Sequence, residues 1–211
     1  MNLQFITHRT ARFDEVEGAR LALAGGCRWI QLRMKEAEKA EIVERARVLK
    51  PMCHAVGAHL LIDDHVDIAQ EVGADGVHLG KNDMPIAEAR SVLGADYIIG
   101  GTANTLDDAL MHIHDGADYL GVGPFRFTTT KKNLSPTLGT DGYLQLIKGL
   151  RKLGHATPIL AIGGITFEDI PAIMQTGVSG IALSGTILQA QNPTDKMRQI
   201  INKLTEMEIE I

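Results

Sequence analysis

Three residues able to hold an anion stand at alternate positions of an otherwise apolar run, Gln31, Arg33 and Lys35 in Trp29-Ile-Gln-Leu-Arg-Met-Lys35. Successive side chains of an extended chain point to opposite sides, so these three project together. Arginine supplies a planar fork and lysine a point charge, a pairing suited to phosphate groups. Two carboxylates follow later apolar runs: Asp64, after Asp63, and Asp83, shortly after His78. Carboxylates carried by adjacent strands can converge on one cation. Sparse, hard oxygen ligands suit Mg²⁺, which completes its shell from water and substrate phosphates. The competing role for Asp64 is to cap the helix that follows it, and Asp63 could support a ligand from behind.

Further polar groups follow the later apolar runs. Thr102 and Asn104 come after one, and the stretch from Gly123 to Gly139 holds Thr128, Thr130, Lys131 and Lys132. That stretch is longer than a turn between strand and helix needs, and loops beyond ~12–15 residues are usually functional or disordered. An anion-gripping lid and a solvated loop are equally compatible with its length. Gly163-Gly164 and Ser184-Gly185 offer bare backbone N–H groups of the kind that hold phosphate at helix N-termini. His112 and His114 lie on one expected helix without an acid at metal-ligand spacing, and read as surface residues. Cys27 and Cys53 read as core.

The elements that must position these groups recur along the chain. Gly25, Gly73, Gly94, Gly116 and Gly177 each follow an amphipathic stretch and precede a short apolar run. Glycine suits a helix C-terminus, and an apolar run without alternation suits a strand covered on both faces of a parallel sheet. Strands are expected at 3–7, 29–33, 59–63, 76–79, 97–101, 119–123, 158–162 and 180–183. Helices are expected near 13–24, 37–56, 65–72, 85–93, 105–115, 142–153, 168–176 and 194–207. Eight such units define an α/β chain folded as a single (β/α)₈ TIM barrel over residues 1–211. A doubly wound open sheet is disfavoured by the count and by the lack of GxGxxG after the first strand. In a barrel the strand C-termini carry the site, and nearly every expected strand ends in polar groups.

The 211 residues carry a net charge of −5, 45% hydrophobic and 4% aromatic residues. No basic face marks nucleic-acid binding, and no run approaches the ~18 apolar residues of a membrane span. With two cysteines at no metal-type spacing, a cytoplasmic protein with reduced thiols is expected. Oligomeric state is left open.

These residues resemble the thiamine-phosphate synthase family over essentially the whole chain. The resembling segments are Gln31-Leu-Arg-Met-Lys35, Ile62-Asp-Asp64, Ala74-Asp-Gly-Val-His-Leu-Gly80 with Asp83, the 123–131 segment set against the family's Gly-Pro-x-Phe-x-Thr-x-Thr-Lys, and Ile162-Gly-Gly-Ile165. The resemblance implies condensation of hydroxymethylpyrimidine diphosphate with a thiazole phosphate, releasing pyrophosphate. It places Asp64 and Asp83 on Mg²⁺. Gln31, Arg33, Lys35, Asp63 and Lys131 would hold the pyrimidine diphosphate, with Arg33, Lys35 and Lys131 acting on the leaving group. Thr102 would face the pyrimidine. Thr128, Thr130, Gly164, Ser184 and Gly185 would receive the thiazole phosphate. Departures from the family pattern are Asp63 for Asn, Thr102 for Ser, Met34 for Glu, and a serine one place early at Ser184. Small-molecule substrates are implied, with neither nucleic acid nor membrane as partner. The rival readings are a thiazole tautomerase relative, a sugar-phosphate isomerase or epimerase barrel, and a phosphate-ligand binder without turnover.

Overall fold

The structure, a computed structural model, describes residues 2–127 and 136–209. Eight parallel strands close in chain order: β1 (Leu3–Ile6), β2 (Trp29–Leu32), β3 (His59–Asp63), β4 (Gly76–Leu79), β5 (Ile98–Ala103), β6 (Tyr119–Val122), β7 (Ile159–Ile162) and β8 (Gly180–Leu183). β8 pairs with β1 through Leu3 and Ile181, which completes the barrel. The helices are α1 (Glu15–Ala24), α2 (Lys39–His54), α3 (Val66–Val72), α4 (Ile86–Leu93), α5 (Leu106–His114), α6 (Gly139–Lys152), α7 (Ile170–Met174), α8 (Gly185–Leu188) and α9 (Pro193–Ile209). All eight expected strands are present. α8 was not among the expected helices, because four residues are too few to show a helical period.

Strand alternation divides the apolar residues between two cores. Side chains such as Phe5, Ile30, Leu60, Ile62, Val77, Ile99 and Leu120 face outward and meet the helices in one large cluster. Ile6, Trp29, Leu61, Tyr119, Leu160 and Ala182 point inward and plug the lumen. The lumen admits large rings only where neighbouring strands omit side chains. A Cβ on Gly100 would overlap the Tyr119 ring, and one on Gly121 would lie 2.9 Å from His78 Cε1. Trp29 meets Tyr119 edge-on, with centroids 4.7 Å apart.

Above this plug, at the strand C-termini, the inward residues become polar: Gln31, Asp63, His78 and Thr102 on consecutive strands β2 to β5. β5 runs two residues further than expected, so Thr102 is part of the strand, with its orientation fixed by the ladder to Gly121. On the other side of the barrel, the buried hydroxyl of Tyr143 on α6 donates to Val122 O at 2.7 Å and accepts from Ile162 N at 3.3 Å. It bridges the ends of β6 and β7. No helix among the described residues is long and apolar enough to cross a membrane.

Candidate active site

Gln31 and Asp63 are both buried, and Gln31 Nε2 donates to Asp63 Oδ1 at 2.6 Å. Arg33 Nε and Lys35 Nζ approach the other oxygen of Asp63, at 3.5 and 3.6 Å. The alternation of Gln31, Arg33 and Lys35 therefore does bring three side chains to one place, and that place is the Asp63 carboxylate. Burial, followed by the charge of Asp64, pushes the Asp63 carboxyl above the ordinary carboxylate range, against the pull of Lys35 and Arg33. Arg33 is fixed from behind: its backbone N donates to Thr7 Oγ1 at 2.9 Å.

Asp64 adopts a left-handed φ of 65°, unusual for a residue other than glycine. It does not cap α3, whose N-cap is His65 without a side-chain bond. Its carboxylate instead binds the Lys35 ammonium and lies within hydrogen-bonding reach of Asp83. Asp83 in turn accepts from Gly80 N at 2.6 Å, which fixes the turn after β4. Although burial opposes charge at both carboxyls, Lys35 and the Asp83 bond hold Asp64 below the usual range, while burial and Asp64 raise Asp83. Two carboxyl groups that share a hydrogen bond hold one proton between them. No cluster of three or more His, Cys, Asp or Glu able to hold a metal occurs among the described residues.

The opposite half of the rim is built from backbone. Gly163 and Gly164 have φ of 97° and 69°, and a Cβ on either would strike the segment after β6: Pro124 for Gly163, Arg126 Cγ and Phe127 O for Gly164. The double glycine is thus the seat on which that segment lies. Phe125 N donates to Ile162 O at 2.8 Å, and Arg126 N donates to Gly163 O at 3.0 Å. The Arg126 guanidinium grips both oxygens of Asp169, at 2.8 and 2.7 Å, and Asp169 also accepts from Thr166 N at 2.7 Å. Arg126 stands at the fourth place of the 123–131 segment, where the Gly-Pro-x-Phe-x-Thr-x-Thr-Lys pattern has Phe, so the match is not complete there. Ser184, at the head of α8, has a buried hydroxyl without a hydrogen-bond partner among the described residues, and Gly185 begins the helix. Thr128, Thr130 and Lys131 lie outside the described residues.

Side-chain ties run between neighbouring loops around the rim. Beyond those already given, Lys81 Nζ meets Asp108 at 2.7 Å, Asn104 donates to Gly123 O, and Thr186 donates to Ile165 O. Arg12 closes the ring by donating to Ala190 O and Gln191 O at 2.9 and 3.2 Å. Arg126, Asp169, Lys81 and Asp108 were not singled out from sequence, since each pair is joined across loops and has no local signature.

His112 is buried and donates to Thr102 O at 3.0 Å, which corrects its reading as a surface residue. His114 is exposed, and both cysteines are buried, as expected.

Fold and rim together define a (β/α)₈ barrel that gathers basic and acidic side chains at its strand C-termini, the end at which barrel enzymes carry their sites. A family model described as thiamine monophosphate synthase matches residues 3–187. A thiamine-phosphate synthase of Bacteroides fragilis is 58% identical over 202 residues, covering 96% of this chain and 99% of the relative. One from Flavobacterium psychrophilum is 44% identical, covering 96% and 98%. The solved thiamine phosphate pyrophosphorylase of Pyrococcus furiosus superposes with a TM-score of 0.86 at 33% identity, covering 97% and 96%. The chain belongs to the thiamine monophosphate synthase family, and its activity is that of a thiamine-phosphate synthase, a transferase of thiamine biosynthesis.

Proposed function

We propose that the chain joins hydroxymethylpyrimidine diphosphate to a thiazole phosphate, releasing pyrophosphate, as one cytoplasmic catalytic domain acting on small molecules alone. The observation that carries this reading is the meeting of Gln31, Arg33 and Lys35 with Asp63, Asp64 and Asp83 at one edge of the rim. Cations and carboxylates set side by side suit a highly charged anion together with a divalent ion.

In this reading the bond between the pyrimidine methylene and diphosphate oxygen breaks first, and the electron pair leaves with the diphosphate. The electron-rich ring spreads the resulting positive charge. The thiazole nitrogen then supplies the pair for the new C–N bond. Arg33 and Lys35 stabilise charge developing on the leaving group, with Lys131 assigned the same duty by the family pattern. Gln31 and Asp63 orient the pyrimidine, and Thr102 faces its ring. Gly164, Ser184 and Gly185, with Thr128 and Thr130 by family pattern, take the thiazole phosphate; a phosphate oxygen would satisfy the unpartnered Ser184 hydroxyl. Asp64 and Asp83 fit Mg²⁺, which when bound supplies Lewis-acid stabilisation of the diphosphate. No serine or cysteine nucleophile is required, because the substrate nitrogen fills that role.

The test incubates the protein with both substrates and Mg²⁺ and follows pyrophosphate and thiamine phosphate. Equal amounts of each are expected, with strong loss in Asp64→Ala and Asp83→Ala. Tautomerised thiazole without pyrophosphate, or binding without turnover, would replace this reading with a rival one.

A further inference from the structure

A buried polar chain crosses the lumen that the reaction steps above do not use. Gln4 Nε2 on β1 donates to the Tyr119 hydroxyl oxygen on β6 at 3.0 Å. That hydroxyl lies 2.9 Å from His78 Nδ1 on β4, and His78 Nε2 lies 3.0 Å from Thr102 Oγ1 on β5. Gln4, Tyr119 and His78 are all buried, while Thr102 is half-buried at the mouth. Gly121 opposite His78 and Gly100 opposite Tyr119 leave the space that both rings occupy.

The directions in this chain are set by the buried Tyr119 proton, which an Nδ1–H tautomer of His78 would leave without an acceptor among the described residues. An amide N–H only donates, so the Tyr119 oxygen is an acceptor toward Gln4 and its own proton turns to the remaining partner, His78 Nδ1. Burial raises the Tyr119 hydroxyl far above the ordinary phenol range, so the proton stays on that oxygen. A neutral imidazole that accepts at Nδ1 carries its hydrogen on Nε2, and that hydrogen goes to Thr102 Oγ1. The Thr102 carbonyl is held separately by His112 Nε2. The Thr102 oxygen thus receives one bond, and its own proton has no acceptor among the described residues.

We propose that Gln4, Tyr119 and His78 form a positioning relay that fixes His78 as the Nε2–H tautomer and presents Thr102 as a hydrogen-bond donor to a ring nitrogen of the pyrimidine substrate. The substrate half of this inference rests on the proposed function; the tautomer half does not. The relay makes the site selective for a heteroaromatic ring with an acceptor nitrogen at that place, and a ring with C–H there leaves the Thr102 proton unpaired.

Long-range ¹H–¹⁵N correlation on the intact protein labelled with [¹⁵N]histidine reads the tautomer directly. A neutral His78 with hydrogen on Nε2 is expected; an Nδ1–H form or an imidazolium overturns the relay whatever the enzyme's activity. The second arm compares His78→Gln, whose amide can reach the Nε2 position, with His78→Asn, which reaches only the Nδ1 side, each checked for a native thermal transition. His78→Asn and Thr102→Val are expected to raise KM for the pyrimidine diphosphate roughly three- to tenfold, the scale of one hydrogen bond, with KM for the thiazole phosphate unmoved. His78→Gln is expected to recover most of that loss. Equal effects of Gln and Asn, or a rise in both KM values together, would show a merely structural histidine. Wild-type protein that forms no thiamine phosphate would defeat the substrate reading and leave the tautomer result standing.

Discussion

Adding a single methyl group at Gly121 tests whether the lumen is shaped around the His78 ring. An ideal Cβ there stands 2.9 Å from His78 Cε1 and 3.3 Å from Nε2, whereas unstrained carbon contacts lie near ~3.5–4.0 Å. Something must move by roughly 0.6 Å or more to reach that contact distance. The ring has little freedom to yield, because Tyr119 and Thr102 hold its two nitrogens at 2.9 and 3.0 Å. A displacement of that size carries one of the two bonds out of the range that counts as a hydrogen bond. Overpacking of this kind costs ~1–3 kcal/mol, and the stiffer unfolded chain of an alanine variant returns ~0.4–1 kcal/mol. Gly121→Ala should therefore be destabilised by ~1–2 kcal/mol, a fall in Tm of roughly 2–8 °C for a chain of this length. Thermal unfolding measures the first effect, and steady-state kinetics should show a selective rise in KM for the pyrimidine diphosphate. An unchanged Tm with unchanged KM would refute the claim that His78 is immobilised by its partners.

The other expectations concern the remaining rim and the core. Arg126→Ala and Asp169→Ala should couple in a double-mutant cycle by ~0.5–1 kcal/mol, modest because the arginine is half exposed. Both should raise KM for the thiazole phosphate more than for the pyrimidine, since they loosen the segment seated on Gly164; denaturant titration and kinetics on the four proteins decide this. Tyr143→Phe leaves Val122 O and Ile162 N without their shared hydroxyl, and chemical denaturation should show a loss of ~1–3 kcal/mol. Burial pushes the thiols of Cys27 and Cys53 up to about 11 and about 12. A group raised in the folded state favours folding below its unfolded value and loses that contribution as pH climbs through the folded one, so both thiols should resist alkylation at pH 8 until denaturant is added. Raising ionic strength should weaken pyrimidine diphosphate binding more steeply than thiazole phosphate binding, because the proposed function assigns the former to Lys35, which is partly exposed; titration calorimetry across a salt series checks the difference.

Much of the rim is readable in the chain because its signals are local. Gln31 announces itself as a polar residue inside a run that is otherwise apolar, and the alternation with Arg33 and Lys35 gives the direction. Asp64 and Asp83 are legible as strand-end acids, although no pattern foretells the left-handed backbone that aims Asp64 at Lys35 instead of at α3. Gln4 carries the same signal as Gln31, a polar residue in a four-residue buried strand, yet its partner lies 115 positions away and nothing local names it. The ion pair of Arg126 with Asp169 spans 43 positions and is equally silent. His112 had a usable sign. It follows Ala109 at helical spacing on α5, and those two are the buried residues of that helix. The lack of an acid at metal-ligand spacing argued for the surface, and its bond to a strand carbonyl is what allows it inside.

The rim divides into halves of different chemistry, and the division has a physical origin in the barrel itself. From β2 to β5 the inward positions carry side chains able to bind, so this arc offers Arg33, Lys35 and three acids. From β6 to β8 the corresponding places are glycine-rich, and what the strands present there is backbone, packed close because Gly163 and Gly164 have no side chains to hold it off. A diphosphate that must leave with extra charge needs mobile cations and an ion nearby, since the charge grows during the reaction. A phosphate that only anchors a second substrate keeps a constant charge, and preorganised dipoles suit it at lower cost in side-chain entropy. In the proposed function each half of the rim is matched to one of the two anions, so that both share one barrel mouth without competing. The His78 and Thr102 pair stands at the end of the charged arc, next to β6, so in the proposed function the pyrimidine ring lies at the boundary between the halves, where the thiazole nitrogen would meet it.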